Sequence, residues 1–139
     1  MTDRDYARLA GIHPALVEAI VDVLQDMSEW GHPMFVVEGV RTQARQVALY
    51  AQGRTTKGPI VTYKDGVHHK SHHQPHEDGY GYAVDCAFVD GNPFAQTHPW
   101  ERFGQALEKR GLTWGGRWKF FDQPHAELEL HPIEEGKKA

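Results

Sequence analysis

The sequence predicts an α+β fold in which helices flank short strands within one domain. Three segments have the spacing of amphipathic helices, and two shorter segments alternate or carry the β-branched and aromatic residues typical of strands. The chain has 139 residues, 40% of them apolar and 24% charged, which is enough for one core and normal for a globular protein. No repeat, linker or low-complexity block divides it, so one domain over residues 1–139 is expected.

The first predicted helix covers about residues 14–30. Its apolar residues recur at helical spacing and form one stripe, made by Leu16, Ile20, Val23, Leu24 and Met27. Pro14 suits the first turn of a helix, and Gly31 suits the position just beyond its end. This helix is expected to build the core and to carry no site chemistry.

A short strand, Met34–Val37, and a second helix over about residues 42–52 are predicted next. Alanines on this helix allow close packing, and Gly53 suits its end. Arg41 lies where the strand leads into the helix. Taken alone, an arginine at this position would be interpreted as a surface residue.

Residues 55–70 are predicted to form a loop and a β-hairpin. The turn signal is Asp65-Gly66, and residues 60–62 would supply the first arm. His68 and His69 would lie on the second arm, exposed or facing a substrate.

A further strand is predicted over Tyr82–Phe88. Because side chains alternate along a strand, Asp85 shares a face with Ala83 and Ala87, while Cys86 points to the opposite, apolar face. A third helix over about residues 99–110 follows, with an apolar side made by Trp100, Phe103 and Leu107 and with Gly111 as its stop.

Composition excludes several classes of function. The net charge of −4 and the absence of a basic block interleaved with aromatics argue against nucleic-acid binding. The single cysteine, Cys86, excludes an internal disulfide and cysteine-pair metal sites and fits a reducing compartment. The first residues lack an apolar signal core, and no stretch reaches membrane-spanning length. The chain is therefore expected to be made in the cytoplasm without a recognisable secretion signal or stable membrane association.

A histidine-rich segment precedes the Asp85 strand. Five of the ten histidines fall between His68 and His76, and Asp85 on a half-buried face needs a partner. Histidine with aspartate is a ligand set that suits zinc. From spacing alone, a metal site and a polar loop beside an aspartate paired with an arginine both stay open.

The spacing Ser71-x-His73 followed by Gly81-x-Ala83-x-Asp85 resembles the signature of a zinc peptidase family. Its members include D-alanyl-D-alanine carboxypeptidases and dipeptidases, and the L-alanyl-D-glutamate endopeptidases of bacteriophage endolysins. About five extra residues separate the histidine from the glycine here, so His76 is an alternative ligand. His73 is favoured because it preserves the Ser-x-His half of the motif.

Two further stretches carry the same resemblance. Residues 39–55, reading GVRTQARQVALYAQGRT, are similar to the arginine-containing run of the endolysin-like members, in which the arginine matches Arg41. Residues 114–128, reading WGGRWKFFDQPHAEL, are similar to the family's Trp-Gly-Gly-Asp-Trp and Asp-x-Pro-His-Phe-Glu stretches. Arg117 replaces the usual aspartate, and Ala126 replaces an aromatic residue.

The resemblance implies a catalytic site and a fold. His73, Asp85 and His125 would bind Zn²⁺, leaving a fourth position open for water, while Asp122 would be the general base. Arg41 would bind substrate or stabilise the transition state, and Ser71 would hydrogen-bond within the site. Glu127 is expected to support the site without taking part in catalysis. The implied fold is a small antiparallel sheet with flanking helices, as in D-Ala-D-Ala peptidases and hedgehog-like zinc peptidases.

The resemblance also implies a function. The chain would be a zinc-dependent peptidoglycan peptidase that cleaves the stem peptide, most closely an L-alanyl-D-glutamate endopeptidase of a phage endolysin. A D-Ala-D-Ala carboxypeptidase or dipeptidase, and a zinc-bearing wall-binding module without activity, are the alternatives. A lysis enzyme of this kind would be a monomer, would stay in the host cytoplasm before lysis and would need a phage holin to reach the cell wall.

Overall fold

The helices and strands form a small sheet with helices around it in a computed structural model, which describes residues 1–129. The helices are α1 Asp3–Arg8, α2 Pro14–Glu29, α3 Gln43–Ala51 and α4 Trp100–Lys109. The strands are β1 Met34–Glu38, β2 Ala83–Phe88, β3 Thr113–Trp114 and β4 His125–Glu127, and a short 3-10 turn covers Gly115–Arg117. The α+β prediction is confirmed. The prediction of one domain includes residues 130–139, which lie outside the described residues, and stays a prediction.

The sheet has the order β1-β2-β4-β3, and all three neighbouring pairs are antiparallel. The apolar stripe of α2 is buried as predicted, and α4 packs beside it. Strand β2 contributes most of its side chains to the core, and Cys86 lies there fully buried, as expected. Burial raises the pKa of the Cys86 thiol well above its ordinary value, so this cysteine is an inert core residue. Asp85 is the half-buried position in this strand.

Helix α1 was missing from the sequence-based prediction, and it protects the outer edge of β1. A capping box between Thr2 and Asp5 begins this short helix. The Asp5 Oδ1 atom accepts the backbone N–H of Val36 at 2.8 Å, and Arg8 donates to the Val36 carbonyl at 2.7 Å. Side chains therefore satisfy backbone groups that an edge strand would otherwise expose.

The predicted β-hairpin within residues 55–70 is wrong, because no strand forms between α3 and β2. The Asp65 carboxylate accepts the backbone N–H groups of residues 67, 68 and 69, at 2.9, 2.8 and 2.9 Å. The second strand of the predicted hairpin would need these N–H groups to bond with the first strand. The apolar residues of the segment are exposed, so no buried face favours a sheet there.

Strands β3 and β4 were also not predicted, since each is only two or three residues long. Gly104 of α4 lets the Trp114 ring of β3 pack closely, because a Cβ at this glycine would lie 2.1 Å from that ring. Within residues 1–129, no helix combines the length and apolar content that crossing a membrane requires.

Candidate metal centre and active site

Two of the predicted ligands lie opposite each other on neighbouring strands of the sheet. Asp85 on β2 is paired directly with His125 on β4. On the other side of β2, the pairing with β1 shifts by one residue between Val36 and Glu38, which brings Glu38 opposite Asp85. A bulge of this kind redirects side chains near a site. The sheet therefore fixes two ligands and one neighbouring carboxylate by register alone.

The third predicted ligand, His73, is held by the loop that precedes β2. Its carbonyl accepts the backbone N–H of Arg41 at 2.8 Å, and its ring Nδ1 lies 2.9 Å from the Gly39 carbonyl. The Ser71 Oγ atom accepts the His73 backbone N–H at 3.2 Å. Ser71 therefore positions the loop, and a contact between Ser71 and substrate stays a prediction.

The ligand atoms of His73, Asp85 and His125 converge in one buried cluster within 4.8 Å of one another. Asp85 Oδ1 lies 3.3 Å from His73 Nε2 and 3.2 Å from His125 Nδ1. Ligands of a tetrahedral zinc ion, each about 2.0–2.1 Å from the metal, are separated by about 3.3 Å. The two separations from Asp85 to the histidines therefore match those between ligands of one zinc ion.

The hydrogen-bond partners of the two rings support a cation in this cluster. Gly39 accepts from Nδ1 of His73, and Glu127 accepts from Nε2 of His125 at 2.7 Å. In a neutral ring, the other nitrogen then carries a lone pair, and both lone pairs face Asp85 Oδ1. This oxygen is buried and has no hydrogen-bond partner among residues 1–129. Three acceptors that face one another need a metal ion or an added proton between them.

The ionisation of Asp85 and that of His125 depend on each other. Burial opposes ionisation of Asp85, but its contacts with His125 and His73 outweigh this and hold its pKa well below the usual range. Burial likewise lowers the pKa of His125, yet the contacts with Asp85 and Glu127 raise it to about 10. Both shifts favour a proton on His125 beside an ionised Asp85 when no metal is bound. Zinc would displace this proton on binding.

Glu127 orients His125. Its carboxylate is 8% exposed, accepts from His125 Nε2 and lies 3.6 Å from the His72 ring. Burial raises the pKa of Glu127, but the hydrogen bond and the charge of His125 outweigh it and lower the pKa overall. The Trp118 ring covers His125 with a centroid separation of 4.8 Å. The hydrogen bond between Glu127 and His125 therefore agrees with the supporting role expected for Glu127.

Asp122, the predicted base, lies at the open side of the cluster. Its Oδ2 atom is 3.8 Å from His125 Nδ1, and its side chain is 50% exposed. Desolvation and the nearby Asp85 carboxylate raise the pKa of Asp122. Gly115 makes this placement possible, because a Cβ there would lie 2.5 Å from the Asp122 carbonyl oxygen. Asp122 is thus close to the ligands yet accessible to water and substrate.

Arg41 lies beside Asp85, largely buried. It donates to Glu38 at 2.6 Å and to Gln46 at 2.8 Å, and it lies 3.8 Å from Asp85 Oδ2. Its Nε atom is buried and has no partner among residues 1–129. The guanidinium is therefore fixed with its charge at the ligand cluster. Its contact with substrate stays a prediction.

His76, the alternative ligand, lies outside the cluster. Its ring stacks on Tyr82 at a centroid separation of 3.9 Å. Burial and the neighbouring His72 lower the pKa of His76. His68 and His69 are exposed. Within residues 1–129, His73 is the histidine of this segment that meets Asp85 and His125.

Comparison with known proteins gives the family. Residues 65–128 match the family model described as D-alanyl-D-alanine carboxypeptidase, of peptidase family M15. The chain is 34% identical over 131 residues, covering 84% of this chain and 73% of the relative, to the peptidoglycan L-alanyl-D-glutamate endopeptidase CwlK of Bacillus subtilis (strain 168). The chain belongs to peptidase family M15. It is therefore a metallopeptidase, and M15 peptidases are zinc enzymes.

Solved structures share the fold of this M15 peptidase. The L-Ala D-Glu endopeptidase ChiX of Serratia marcescens has a TM-score of 0.60 at 25% identity, covering 96% of this chain and 92% of ChiX. DacB of Streptococcus pneumoniae D39 has a TM-score of 0.62 at 18% identity, covering 93% of this chain and 72% of DacB. The second likeness concerns the fold alone.

The structure shows the surroundings of both departures from the M15 pattern. Arg117 binds Glu101 at 2.9 Å and Glu108 at 3.0 Å, and it lies over the Trp114 ring at 4.8 Å. It therefore ties the turn after β3 to helix α4. Ala126 is fully buried and faces Trp114 in the register of β3 and β4. The family's own stretch also has a tryptophan at the position of Trp114, so nothing in the structure explains the alanine.

Several supporting residues of the M15 site were missed by the sequence analysis. Glu38 and Gln46 hold Arg41, and the indole N–H of Trp114 donates to the carbonyl of Gln123, the neighbour of Asp122, at 2.8 Å. Gln46 lies within residues 39–55, the stretch that resembles the family, so the sequence contained a signal for it. The role of Glu38 depends on the bulge in β1, for which the sequence carried no signal.

Proposed function

We propose that this protein is a zinc-dependent peptidoglycan peptidase that hydrolyses the L-alanyl-D-glutamate bond of the stem peptide. One observation carries the proposal: His73, Asp85 and His125 meet at zinc-ligand spacing beside the half-exposed carboxylate of Asp122. The names of CwlK and ChiX, both L-Ala-D-Glu endopeptidases, support this choice of bond.

The residues of the site suit peptide hydrolysis. Zinc in this cluster would lower the pKa of a water molecule and polarise the scissile carbonyl. Asp122, with its raised pKa, accepts the proton of the attacking water and returns it to the leaving amine. Arg41 holds positive charge beside the cluster and stabilises the negative charge that develops on the carbonyl oxygen. Glu127 keeps the His125 ring in the orientation that presents Nδ1.

A carboxypeptidase is the second candidate, favoured by the description of the matching family model. In that case, the Arg41 guanidinium would bind the terminal carboxylate of the substrate. A non-catalytic wall-binding module is less well supported. Such a module has no need for a half-exposed carboxylate with a raised pKa next to the ligands.

A role in host-cell lysis is the finer part of the proposal. It rests on the similarity of residues 39–55 to endolysin-like members of the family. A monomeric enzyme of this type would reach peptidoglycan with the help of a membrane-permeabilising holin. Expression in bacteria with and without a holin tests this, because lysis should require both proteins.

Digestion of purified peptidoglycan tests the activity itself. Mass spectrometry of the released fragments should find new amino-terminal D-glutamate if the endopeptidase assignment is right. Loss of terminal D-alanine would instead identify the carboxypeptidase. A chelator should abolish the release and zinc should restore it. Protein that binds zinc but releases no fragment would favour the non-catalytic module.

A further inference from the structure

Two exposed aromatic rings from separate loops meet beside the active site. Tyr63 is 60% exposed and Phe120 is 68% exposed, and their ring centroids are 5.4 Å apart. Tyr63 belongs to the segment between α3 and β2, while Phe120 follows the 3-10 turn. Exposed rings that contact each other in this way offer an apolar surface to a ligand.

The Tyr63 segment is braced although it contains no strand. The Gln46 amide donates to the Thr62 hydroxyl at 3.1 Å and to the Lys64 carbonyl at 2.7 Å. Arg54 donates to the Thr62 carbonyl at 3.1 Å. The same Gln46 side chain accepts from Arg41 at 2.8 Å. The residues on both sides of Tyr63 are thus hydrogen-bonded to Gln46, which in turn is hydrogen-bonded to Arg41 beside the metal cluster.

Phe120 belongs to the segment that carries Asp122. It lies two residues before Asp122, whose backbone N–H donates to the Gly115 carbonyl at 2.9 Å. Trp118, which lies two residues before Phe120, packs on His125. The contact between Tyr63 and Phe120 therefore joins the segment fixed to Arg41 with the segment that carries the base. Together, these two exposed rings form a surface that we call the aromatic wall.

We infer that this aromatic wall binds the sugar ring of the glycan strand to which the stem peptide is attached. The inference rests on the proposed function. In peptidoglycan, L-alanine is linked directly to the muramic acid sugar, so a saccharide lies one residue from the scissile bond. L-alanine and D-glutamate present a methyl group and a carboxylate, and neither group packs extensively against two aromatic rings. A sugar ring presents flat C–H faces that match their apolar faces.

Kinetics on two substrates test the inference. One is the disaccharide-linked stem peptide, and the other is the same peptide with an acetyl group in place of the sugar. Tyr63→Ala and Phe120→Ala should lower kcat/KM on the disaccharide substrate roughly five- to tenfold, through KM, as expected for one aromatic contact. Hydrolysis of the acetylated peptide should not change. Tyr63→Phe keeps the ring and should behave like the unaltered protein.

Phe94→Ala is the matched control, because Phe94 is also exposed, at 51%, but lies in the loop that follows β2. Zinc content and thermal unfolding of each variant report on folding. Binding of both substrates to zinc-depleted protein gives a readout without catalysis, and the Ala variants should weaken only disaccharide binding. Equal losses on both substrates, or no loss on either, would overturn the inference and leave the proposed function intact. Cleavage of neither substrate by the unaltered protein would overturn both.

Discussion

Asp85 and His125 are direct partners across β2 and β4, and Asp85 Oδ1 lies 3.2 Å from His125 Nδ1. Sheet register therefore brings two acceptors to zinc-ligand spacing, without any contribution from a loop. His73 alone reaches the cluster from an irregular segment, through contacts with Gly39 and Arg41. The identity of the histidine on this loop is accordingly the point to test first.

His73→Ala should abolish stoichiometric zinc binding, whereas His76→Ala should retain it. The reason is that His73 Nε2 faces Asp85, while the His76 ring stacks on Tyr82. Metal analysis of the two purified variants, with circular dichroism to check folding, decides the matter. The reverse pattern would mean that the inserted residues shift the ligand to His76.

Asp122→Asn should retain zinc and thermal stability but lose about 10²–10⁴-fold in peptide release, the usual contribution of a general base. The amide keeps the size of the side chain and cannot accept the proton. Fragment release from peptidoglycan gives the rate. Asp3→Asn, at an exposed position of α1, is the control and should change nothing. Near-normal activity of the Asp122 variant would identify Asp122 as a surface residue without a catalytic role.

Arg41→Ala should lower turnover by about 10²–10³-fold, the typical effect of removing a group that stabilises transition-state charge. Zinc should be retained, since Arg41 is not among the clustered ligands. Arg45→Ala is the matched control, because Arg45 also lies near Glu38, at 3.7 Å, but is 57% exposed. Equal losses in the two variants would show that the Glu38 pairing matters rather than the charge beside Asp85.

Glu127→Ala should weaken zinc binding by about 10–100-fold, because the His125 ring loses the acceptor that fixes its orientation. Competition with a chromogenic chelator measures the affinity. Glu127→Gln should have a smaller effect, since the amide oxygen can still accept from His125 Nε2. Glu77→Ala, at an exposed position, should leave the affinity as it was. Unchanged zinc affinity in Glu127→Ala would remove the orienting role.

Asp5→Ala should lower the free energy of unfolding by about 1–3 kcal/mol, because the buried N–H of Val36 loses its acceptor. Burial raises the pKa of Asp5, but its hydrogen bonds with Thr2 and Val36 lower it overall. The stabilisation is therefore present above the ordinary carboxylate pKa and is lost as the pH falls through the lowered pKa of the folded state. Denaturant unfolding at neutral and acidic pH checks this. The difference between the two proteins should shrink in acid, and a constant difference would argue against an ionised Asp5.

Local pattern was sufficient for the long helices, and a family resemblance selected the candidate site residues. The stripe of α2 and the apolar side of α4 follow from helical spacing, and each becomes buried. His73, Asp85, Asp122 and His125 could be selected because their order and spacing resemble a family signature. Pattern failed for α1, β3 and β4, which are too short to show a period, and for the hairpin, where the Asp65 side chain takes the backbone donors.

The sequence by itself determined which side chains could bind a metal, but only the tertiary structure decided how they meet. The register of β2 with β4 sets Asp85 opposite His125, and the bulge in β1 brings Glu38 to the same place. The Gly39 carbonyl and the Glu127 carboxylate select which ring nitrogens face Asp85. These contacts join residues far apart in the chain or depend on the pairing of strands. Neighbouring residues cannot encode them, because they exist only once the sheet has formed.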